Sequence, residues 1–443
     1  MSTIEKHDMT QGKILLPLVS FTIPLVLGNL FQLTYNAADS VIVGKYVGEQ
    51  ALAAVGTSTP IMNIAILLIS GMCMGASVLM SSQYGAKDYD TLSRQISTTM
   101  LAGCGFSVVF SLLMLLLANP VLRLIRVPET AIPEAAAYLR IIFMGLIFTF
   151  MYNFLANTMR ALGDSKTPLY FLVTSAFLNI FGDLFFVVVL RWGVAGSAIA
   201  TVCSEGLCCL LCGIYIKKKI PLLCLGKKWW VFDKSLLGKT VSYGSTSAMQ
   251  QVCLQLGKLI IQSVVNTQGV AVMAAFTAVN RVDDFAYTPQ QNIGHAMTTF
   301  LAQNKGAGHK ERMKKGFQTG LLIELVYSIG LFCVIWGLAP QIMTLFAEDG
   351  DAQVVSLGIS YLHLISWMYI LPGLTNGVQG FFRGIGDLKV TLYSTFMNMF
   401  GRVVAVFVMI RLLQMEFASL AWANMVGWIC LLYTSDAADD LIG

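Results

Sequence analysis

Two acidic residues interrupt long apolar stretches in the first half of the chain. Asp39 follows a stretch whose only ionisable side chain is that of Tyr35, and the apolar run SVIV comes soon after it. Asp183 lies in the run FLNIFGDLFFVVV, four residues after Asn179 and therefore on the same face of a helix. A carboxylate in apolar surroundings is costly when charged, so it takes up a proton or pairs with a cation. Together with Thr201, these side chains predict an oxygen-lined site for H⁺ or Na⁺.

The composition places these acids in a membrane protein. Of the 443 residues, 56% are hydrophobic and only 12% are charged, about half the charged share of a soluble domain. Twelve apolar segments follow one another, and we interpret them as transmembrane helices of an all-α polytopic membrane protein. They lie near 14–38, 52–80, 97–118, 138–158, 168–190 and 194–216, and then near 241–265, 271–301, 316–338, 360–380, 390–410 and 418–433.

The basic residues predict the orientation of the chain. Twenty Lys and Arg lie in the loops on one side, including Lys217–Lys219, and five lie on the other side. The positive-inside rule therefore predicts that both termini are cytoplasmic, in a bacterial inner membrane. Because the net charge of +5 comes from these loops, it predicts contact with membrane lipids and no nucleic-acid partner.

The two halves of the chain repeat one another. YLRIIFMGLIFTFMYNFLANTMRALGDSKTPLY (138–170) aligns with YLHLISWMYILPGLTNGVQGFFRGIGDLKVTLY (361–393), and GEQALAA (48–54) aligns with GVAVMAA (269–275). The offsets are 223 and 221 residues, and YGAK (84–87) matches KGAG (305–308) at the second offset. Each copy holds an even number of spans, so both insert the same way up. The sequence predicts two six-helix bundles related by a pseudo-two-fold axis along the membrane normal, with a transporter's cavity near the midplane.

The two copies differ at the acidic positions. The residues that align with Asp39 and Asp183 are Ile260 and Arg402. A scaffold shared by both copies therefore needs no carboxylate there, which favours a functional role. The alternative is structural: Asp39 would cap a helix near the outer surface, and Asp183 would pair with an arginine. We predict a cation-coupling site in the N-terminal bundle, built from Asp39, Asn179, Asp183 and Thr201.

The repeat also sets the predicted domains. The N-terminal bundle is 1–216, a basic amphipathic cytoplasmic linker is 217–240, and the C-terminal bundle is 241–443. The linker either lies on the inner leaflet or simply connects the bundles. Residues 431–443 break the repeat, because CLLYTSDAADD (430–440) stands where the first copy has CLLCGIYIKKK. We interpret 431–443 as a non-native tail of translated adapter DNA, and a genuine acidic tail is the alternative.

Several other side chains are candidates for lining the cavity. They are Tyr35, Asn153, Gln251, Arg281, Asp284, Tyr287 and Arg402. Ordinary packing is the alternative for each aromatic residue among them. The three-residue spacing of Arg281 and Asp284 favours a structural ion pair over substrate contact. The sequence does not decide whether Glu205 or Glu324 faces the cavity.

Several motifs together resemble the multidrug and toxic compound extrusion (MATE) family. They are the pattern Pro24, Asp39, Gly44, the loops RALGD and RGIGD, and GAKD after the second span, and the similarity runs from about residue 10 to 430. The resemblance implies export of amphipathic, cationic organic compounds in exchange for H⁺ or Na⁺ by alternating access. It also implies cation binding at Asp39, Asn179, Asp183 and Thr201, and bending of the first helix at Pro24.

One departure from the family pattern lies in the seventh span. Some members have an acid there, whereas this chain has Gln250, Gln251, Gln255 and Lys258, which favours the N-terminal bundle as the coupling site. The chain is expected to act as a monomer without a metal or cofactor other than the coupling ion. A lipid-linked oligosaccharide flippase of the same superfamily is the alternative function. A membrane-embedded enzyme is a distant alternative, because the sequence contains no catalytic motif and no Walker A motif.

Overall fold

The chain is helical in a computed structural model that describes residues 8–125, 127–129, 131–220, 230–346, 352–413, 415, 417 and 420–442. The helices of the first half are α1 Leu15–Tyr46, α2 Glu49–Gly85, α3 Tyr89–Leu124, α4 Ile132–Met144, α5 Leu146–Ala161, α6 Lys166–Asp183 and α7 Gly193–Lys219. Those of the second half are α8 Lys234–Val265, α9 Val270–Gly306, α10 Lys310–Phe346, α11 Ala352–Ser366, α12 Ile370–Gly384, α13 Leu388–Phe407 and α14 Leu420–Ile442. The π-helical segments Leu184–Val189 and Val408–Leu412 extend α6 and α13, and the 3₁₀ turn Trp367–Tyr369 joins α11 to α12.

The described part of each predicted span lies on one of these helices or on a consecutive pair. Within the described residues, eight helices are long and apolar enough to cross a membrane. The count is nine if α4 and α5, which are bent by 47° relative to each other at Gly145, form one span. The helical fold agrees with the sequence, while the count of twelve spans stays a prediction.

Turns at equivalent positions of the two copies have the same backbone conformation. Gly163 ends α5 with φ 89° and Gly386 follows α12 with φ 84°, a conformation that glycine adopts without strain. Lys87 and Gly308, which the repeat aligns, have φ 57° and 75°. The RALGD and RGIGD loops are therefore helix-ending turns whose next residue is an acid. In the first of them, the carboxylate of Asp164 accepts hydrogen bonds from the N–H groups of residues 166 and 167 at 3.1 and 3.0 Å.

The chain divides into two compact units. Unit 1 contains Met1–Asp8 and Ile23–Ala248, and unit 2 contains Met9–Thr22 and Met249–Gly443. The units therefore differ from the predicted bundles at two places, since the start of α1 belongs to unit 2 and the start of α8 belongs to unit 1.

Hydrogen bonds explain why the segment Met9–Thr22 belongs to unit 2. The guanidinium of Arg312 on α10 donates to the backbone carbonyls of Met9, Gln11 and Gly12 at distances between 2.7 and 3.3 Å. The Asn304 side chain also donates to the carbonyl of Met9, at 3.2 Å. These bonds satisfy backbone acceptors that precede the first helix.

The start of α8 is held in unit 1 in a similar way. Asp233 caps α8, and its carboxylate also forms an ion pair with Arg94 on α3 at 2.5 Å. The side chain of Thr98 on α3 accepts a hydrogen bond from the N–H of Asp233 at 3.1 Å. Further along α8, the backbone of Tyr243 packs directly on Gly75 of α2, where a Cβ atom would lie 2.4 Å from its carbonyl oxygen.

The structure shortens the predicted linker and extends the last helix. Lys217–Lys219 end α7 and Lys234–Thr240 begin α8, so only 220–233 connects the two helices. Residues 221–229, where a surface helix was considered, lie outside the described residues. Helix α14 continues to Ile442 through most of the segment 431–443, and the interpretation of that segment as non-native stays a prediction.

Candidate functional site

Asp39 and Asp183 meet inside unit 1. Asp39 is in the last third of α1 and is half-buried, whereas Asp183 ends α6 and is fully buried. Their carboxyl groups lie within hydrogen-bonding range of each other. The hydroxyl of Ser197, on α7, donates to Oδ1 of Asp39 at 2.6 Å. Three helices therefore converge on the two carboxyl groups.

The polar neighbours on α6 and α7 direct their donors away from Asp183. Nδ2 of Asn179 donates to Oγ1 of Thr201 at 3.2 Å, and that hydroxyl donates to the Ser197 carbonyl at 3.2 Å. Among the described residues, no N–H or O–H group donates to either carboxylate oxygen of Asp183 or to Oδ1 of Asn179. Buried acceptors without donors are rare in folded proteins. Three oxygens are thus available to a proton or a cation.

Close packing of the helices brings these groups together. A Cβ atom on Gly182 would lie 2.9 Å from the Cβ of Ala200 on α7. A Cβ atom on Gly196 of α7 would lie 3.1 Å from the backbone of Phe186, in the π-helical segment. The two glycines therefore allow α7 to approach the end of α6, where the helix changes from α to π. Such changes are common at functional sites because they reposition side chains.

Pro24 lies inside α1, fifteen residues before Asp39. Proline lacks the N–H that would continue the helical hydrogen bonds, so this part of α1 bends more easily than the rest. The division between the two units falls immediately before it in sequence, between Thr22 and Ile23. The structure is compatible with the predicted bending role, which it does not test.

Two further groups of unit 1 belong to the surroundings of the acid pair. Tyr138 on α4 interacts electrostatically with both Asp39 and Asp183. Glu205 on α7 interacts with Tyr35 and accepts a hydrogen bond from the Thr149 hydroxyl at 2.5 Å. The sequence left Glu205 undecided and did not single out Ser197. The position of Ser197, four residues before Thr201 on the same helical face, is the signal that could have revealed it.

The predicted cavity residues fall into two sets. Tyr35 and Asn153 belong to unit 1, and the carboxamide of Asn153 donates to the Thr149 carbonyl on its own helix at 2.9 Å. The members in unit 2 are Gln251, Arg281, Asp284, Tyr287 and Arg402. Their role in binding a substrate stays a prediction.

The predicted ion pair between Arg281 and Asp284 is wrong. Asp284 instead lies 3.7 Å from Nζ of Lys258 on α8, and both side chains are more than half exposed. Spacing along one helix made the first pairing plausible, but α8 supplies a closer cation. An exposed pair of this kind contributes at most about 1 kcal/mol to stability.

The neighbouring acid, Asp283, is the buried one. Its Oδ1 accepts a hydrogen bond from the hydroxyl of Tyr369 at 2.5 Å, and its Oδ2 accepts one from Tyr361 at 3.5 Å. Arg402 interacts electrostatically with Asp283, and the ring of Tyr287 packs edge-on against Tyr369. Two of the predicted cavity residues, Tyr287 and Arg402, thus surround an acid that sequence reasoning did not select.

The duplicated fold and the acid pair agree with a known family. The family model described as MatE matches residues 24–185 and 247–409, one match in each half of the chain. The chain belongs to the MATE family. The two matched stretches also confirm the internal repeat, and the MATE proteins are membrane transporters rather than enzymes, so the enzyme alternative is wrong.

Individual MATE proteins cover nearly the whole chain. It is 32% identical to the "Probable multidrug resistance protein YpnP" of Bacillus subtilis over 392 residues, 88% of this chain and 86% of that protein. It is 23% identical to the "Probable multidrug resistance protein NorM" of Thermotoga maritima over 419 residues, 92% and 88% of the two chains. The solved outward-facing structure of a multidrug resistance MATE family transporter aligns with a TM-score of 0.92 at 21% identity, over 100% of this chain and 98% of that one. The fold of this MATE protein is therefore that of a duplicated helical transporter.

Proposed function

We propose that this MATE protein is a secondary active antiporter that exports amphipathic, cationic organic compounds in exchange for H⁺ or Na⁺ by alternating access. The contact between the carboxyl groups of Asp39 and Asp183 carries the proposal. The multidrug resistance proteins with which the chain shares most of its length support export of drugs. The positive-inside distribution supports cytoplasmic termini, and the protein is proposed to work as a monomer.

The acid pair is suited to binding one positive charge at a time. Two unit charges about 3 Å apart repel each other by roughly 5 kcal/mol at an effective dielectric constant of 20. One proton between the carboxyl groups replaces this repulsion with a hydrogen bond. Na⁺ would instead need more oxygen ligands, which Asn179, Thr201 and Ser197 could supply as neutral groups.

Coupling requires that the ion bind differently to the two states of the transporter. We propose that uptake of H⁺ or Na⁺ by Asp39 and Asp183 alters the packing of α1 around Pro24 and releases the exported compound. The ion then leaves towards the cytoplasm. Neutralisation of the pair is the step that changes α1, because Asp39 is the acid that α1 itself carries.

Transport in reconstituted vesicles tests the proposal. Ethidium transport would be measured under separate H⁺ and Na⁺ gradients in the wild type and in Asp39→Asn and Asp183→Asn variants. We expect one of the two gradients to drive wild-type transport and neither to drive the variants. Asp90→Asn, which removes an exposed carboxylate at the start of α3, is the matched control. Wild-type rates in both acid variants would overturn the assignment of the site.

The flippase alternative has less support than drug export. The curated relatives that cover most of the chain have names that refer to multidrug resistance. Lipid translocation without ethidium transport in the same vesicles would favour the flippase instead.

A further inference from the structure

A second buried acid lies near the middle of α10, in unit 2. Glu324 is the fifteenth residue of the helix Lys310–Phe346, which places it about 21 Å along the axis at a rise of 1.5 Å per residue. Its side chain is fully buried. Among the described residues, neither of its carboxylate oxygens has a hydrogen-bond donor, and no ion pair includes it.

Neutral polar groups surround this carboxyl group. A Cβ atom on Gly373 of α12 would lie 2.9 Å from Oγ of Ser328, 3.3 Å from Nε2 of Gln290 and 3.4 Å from Oε2 of Glu324. Side chains from α9 and α10 therefore converge on the small space beside a glycine of α12. Gln290 is fully buried, and Ser328 is nearly so.

The donors of this cluster are already engaged elsewhere. Nε2 of Gln290 donates to Oγ of Ser328 at 3.0 Å and to the carbonyl of Tyr369 at 2.8 Å. The Ser328 hydroxyl donates to the backbone carbonyl of Glu324 at 2.7 Å. Oε1 of Gln290 has no donor, as is the case for both oxygens of Glu324. The cluster thus lacks a hydrogen atom rather than an acceptor.

The repeat shows that the fold does not need this acid. At the offset of 221 residues, Glu324 aligns with Gly103 and Gln290 aligns with Ile69, while at 223 residues Gly373 aligns with Phe150.

In unit 1 the large and small residues have exchanged places. A Cβ atom on Gly103 would lie 1.9 Å from Cζ of Phe150, so the Phe150 ring fills the space beside the glycine. In unit 2 the glycine is on the other helix, and Glu324 occupies the corresponding space. One copy therefore closes this contact with an apolar ring, and the other closes it with a carboxyl group.

We propose that Glu324, with Gln290 and Ser328, forms a proton-binding site of unit 2 that is separate from the pair of Asp39 and Asp183. A buried carboxylate without a counter-ion is very unfavourable, and a bound proton removes the charge. The added proton also supplies the missing donor. Unit 2 lacks counterparts of Asp39 and Asp183, so this site gives it a carboxyl group of its own that can carry a proton.

The charged and titratable groups on the surrounding helices have other partners. Tyr327 on α10 interacts electrostatically with Glu324, but its hydroxyl donates to the Ala286 carbonyl at 3.1 Å. Asp283 on α9 accepts hydrogen bonds from two tyrosines, as described above. Arg383 on α12 donates to Oε1 of Gln379 at 2.9 Å, and the ring of His363 on α11 packs against Trp336. None of these groups supplies a cation to Glu324 in the described part of the chain.

Infrared spectroscopy of the full chain in liposomes tests the proposal. At neutral pH the wild type should show the carbonyl band of a protonated carboxylic acid that shifts when glutamate is labelled with ¹³C. Glu324→Gln should lose this band, whereas Glu311→Gln, an acid in the first turn of the same helix, should keep it. The double variant Asp39→Asn, Asp183→Asn should also keep it, because the inference does not depend on the proposed coupling pair.

A second variant keeps the test valid if Glu324→Gln fails to fold. The double substitution Glu324→Gly, Gly373→Phe copies the packing of Gly103 and Phe150 in unit 1 and should fold without the band. A wild-type band that survives removal of Glu324 would overturn the proposal. Loss of the wild-type band in Na⁺ buffer, but not in choline buffer, would also overturn it, because the site would then bind Na⁺ instead of a proton.

Discussion

The contact between Asp39 and Asp183 makes a quantitative prediction about drug binding. Asparagine at position 183 has almost the same size as aspartate but carries no charge, and its Nδ2 can donate to the carboxylate of Asp39. The Asp183→Asn protein should therefore hold its side chains in place without a bound proton. Proton uptake, and any effect of that uptake on drug affinity, should disappear.

The expected size of the effect follows from the geometry. With both carboxyl groups charged at hydrogen-bonding range, the repulsion is roughly 5 kcal/mol at an effective dielectric constant of 20. Only part of this energy can appear as coupling between the two ligands. Coupling between binding sites is typically about 1–3 kcal/mol, or roughly 5- to 150-fold in affinity. We expect at least about a fivefold change in wild-type ethidium affinity when the pair gains its proton.

Fluorescence titration of purified protein measures this coupling without transport. Lowering the pH should weaken ethidium binding by the wild type, because the proton and the drug favour different states. In Asp183→Asn the affinity should change by less than about twofold over the same pH interval. By reciprocity, ethidium should release protons from the wild type and not from the variant.

The exposed acid Asp90 provides the control. Asp90→Asn removes one negative charge from unit 1 and should keep the wild-type dependence on pH. Equal dependence on pH in the wild type and in Asp183→Asn would refute the reasoning, because another group would then carry the proton that competes with the drug.

Three further predictions concern the scaffold. Pro24→Ala should slow transport in vesicles without lowering the melting temperature, because alanine restores a helical hydrogen bond; unchanged transport would exclude bending at this site. Asp164→Ala removes two backbone caps and the 2.6 Å hydrogen bond from the Thr167 hydroxyl, so it should destabilise the protein by about 1–2 kcal/mol in thermal unfolding, and Asp164→Asn by less. Arg312→Gln should speed hydrogen exchange at Met9, whose N–H bonds to Gln303, because the segment loses the guanidinium that holds its carbonyls; Arg312→Lys should not restore protection, and wild-type exchange in both would contradict this role.

The secondary structure was predictable because its signals are local. Apolar runs of sufficient length predict helices, and the turn after each RALGD-type motif needs a glycine followed by an acid at a helix start. The duplication doubled each signal, so that Gly163 and Gly386 support the same conclusion. The turns at these two residues therefore followed from the sequence alone.

The membership of the helix ends was not predictable in this way. The start of α1 belongs to unit 2 because Arg312 binds its backbone, and the start of α8 belongs to unit 1 because α3 binds Asp233. Both contacts join segments more than a hundred residues apart. No repeat or hydropathy pattern encodes which of two similar bundles such a segment contacts.

The sequence by itself determined the helical repeat and the asymmetry between its copies, since both can be seen by aligning the chain with itself. That asymmetry singled out Asp39 and Asp183. Only the tertiary structure decided which charges meet, because a side chain's partner depends on the neighbouring helix: Asp284 pairs with Lys258 rather than Arg281. The same holds for Glu324, which the sequence left undecided. Its significance depends on a glycine of another helix and on donors that are already engaged, and both are properties of the packed fold.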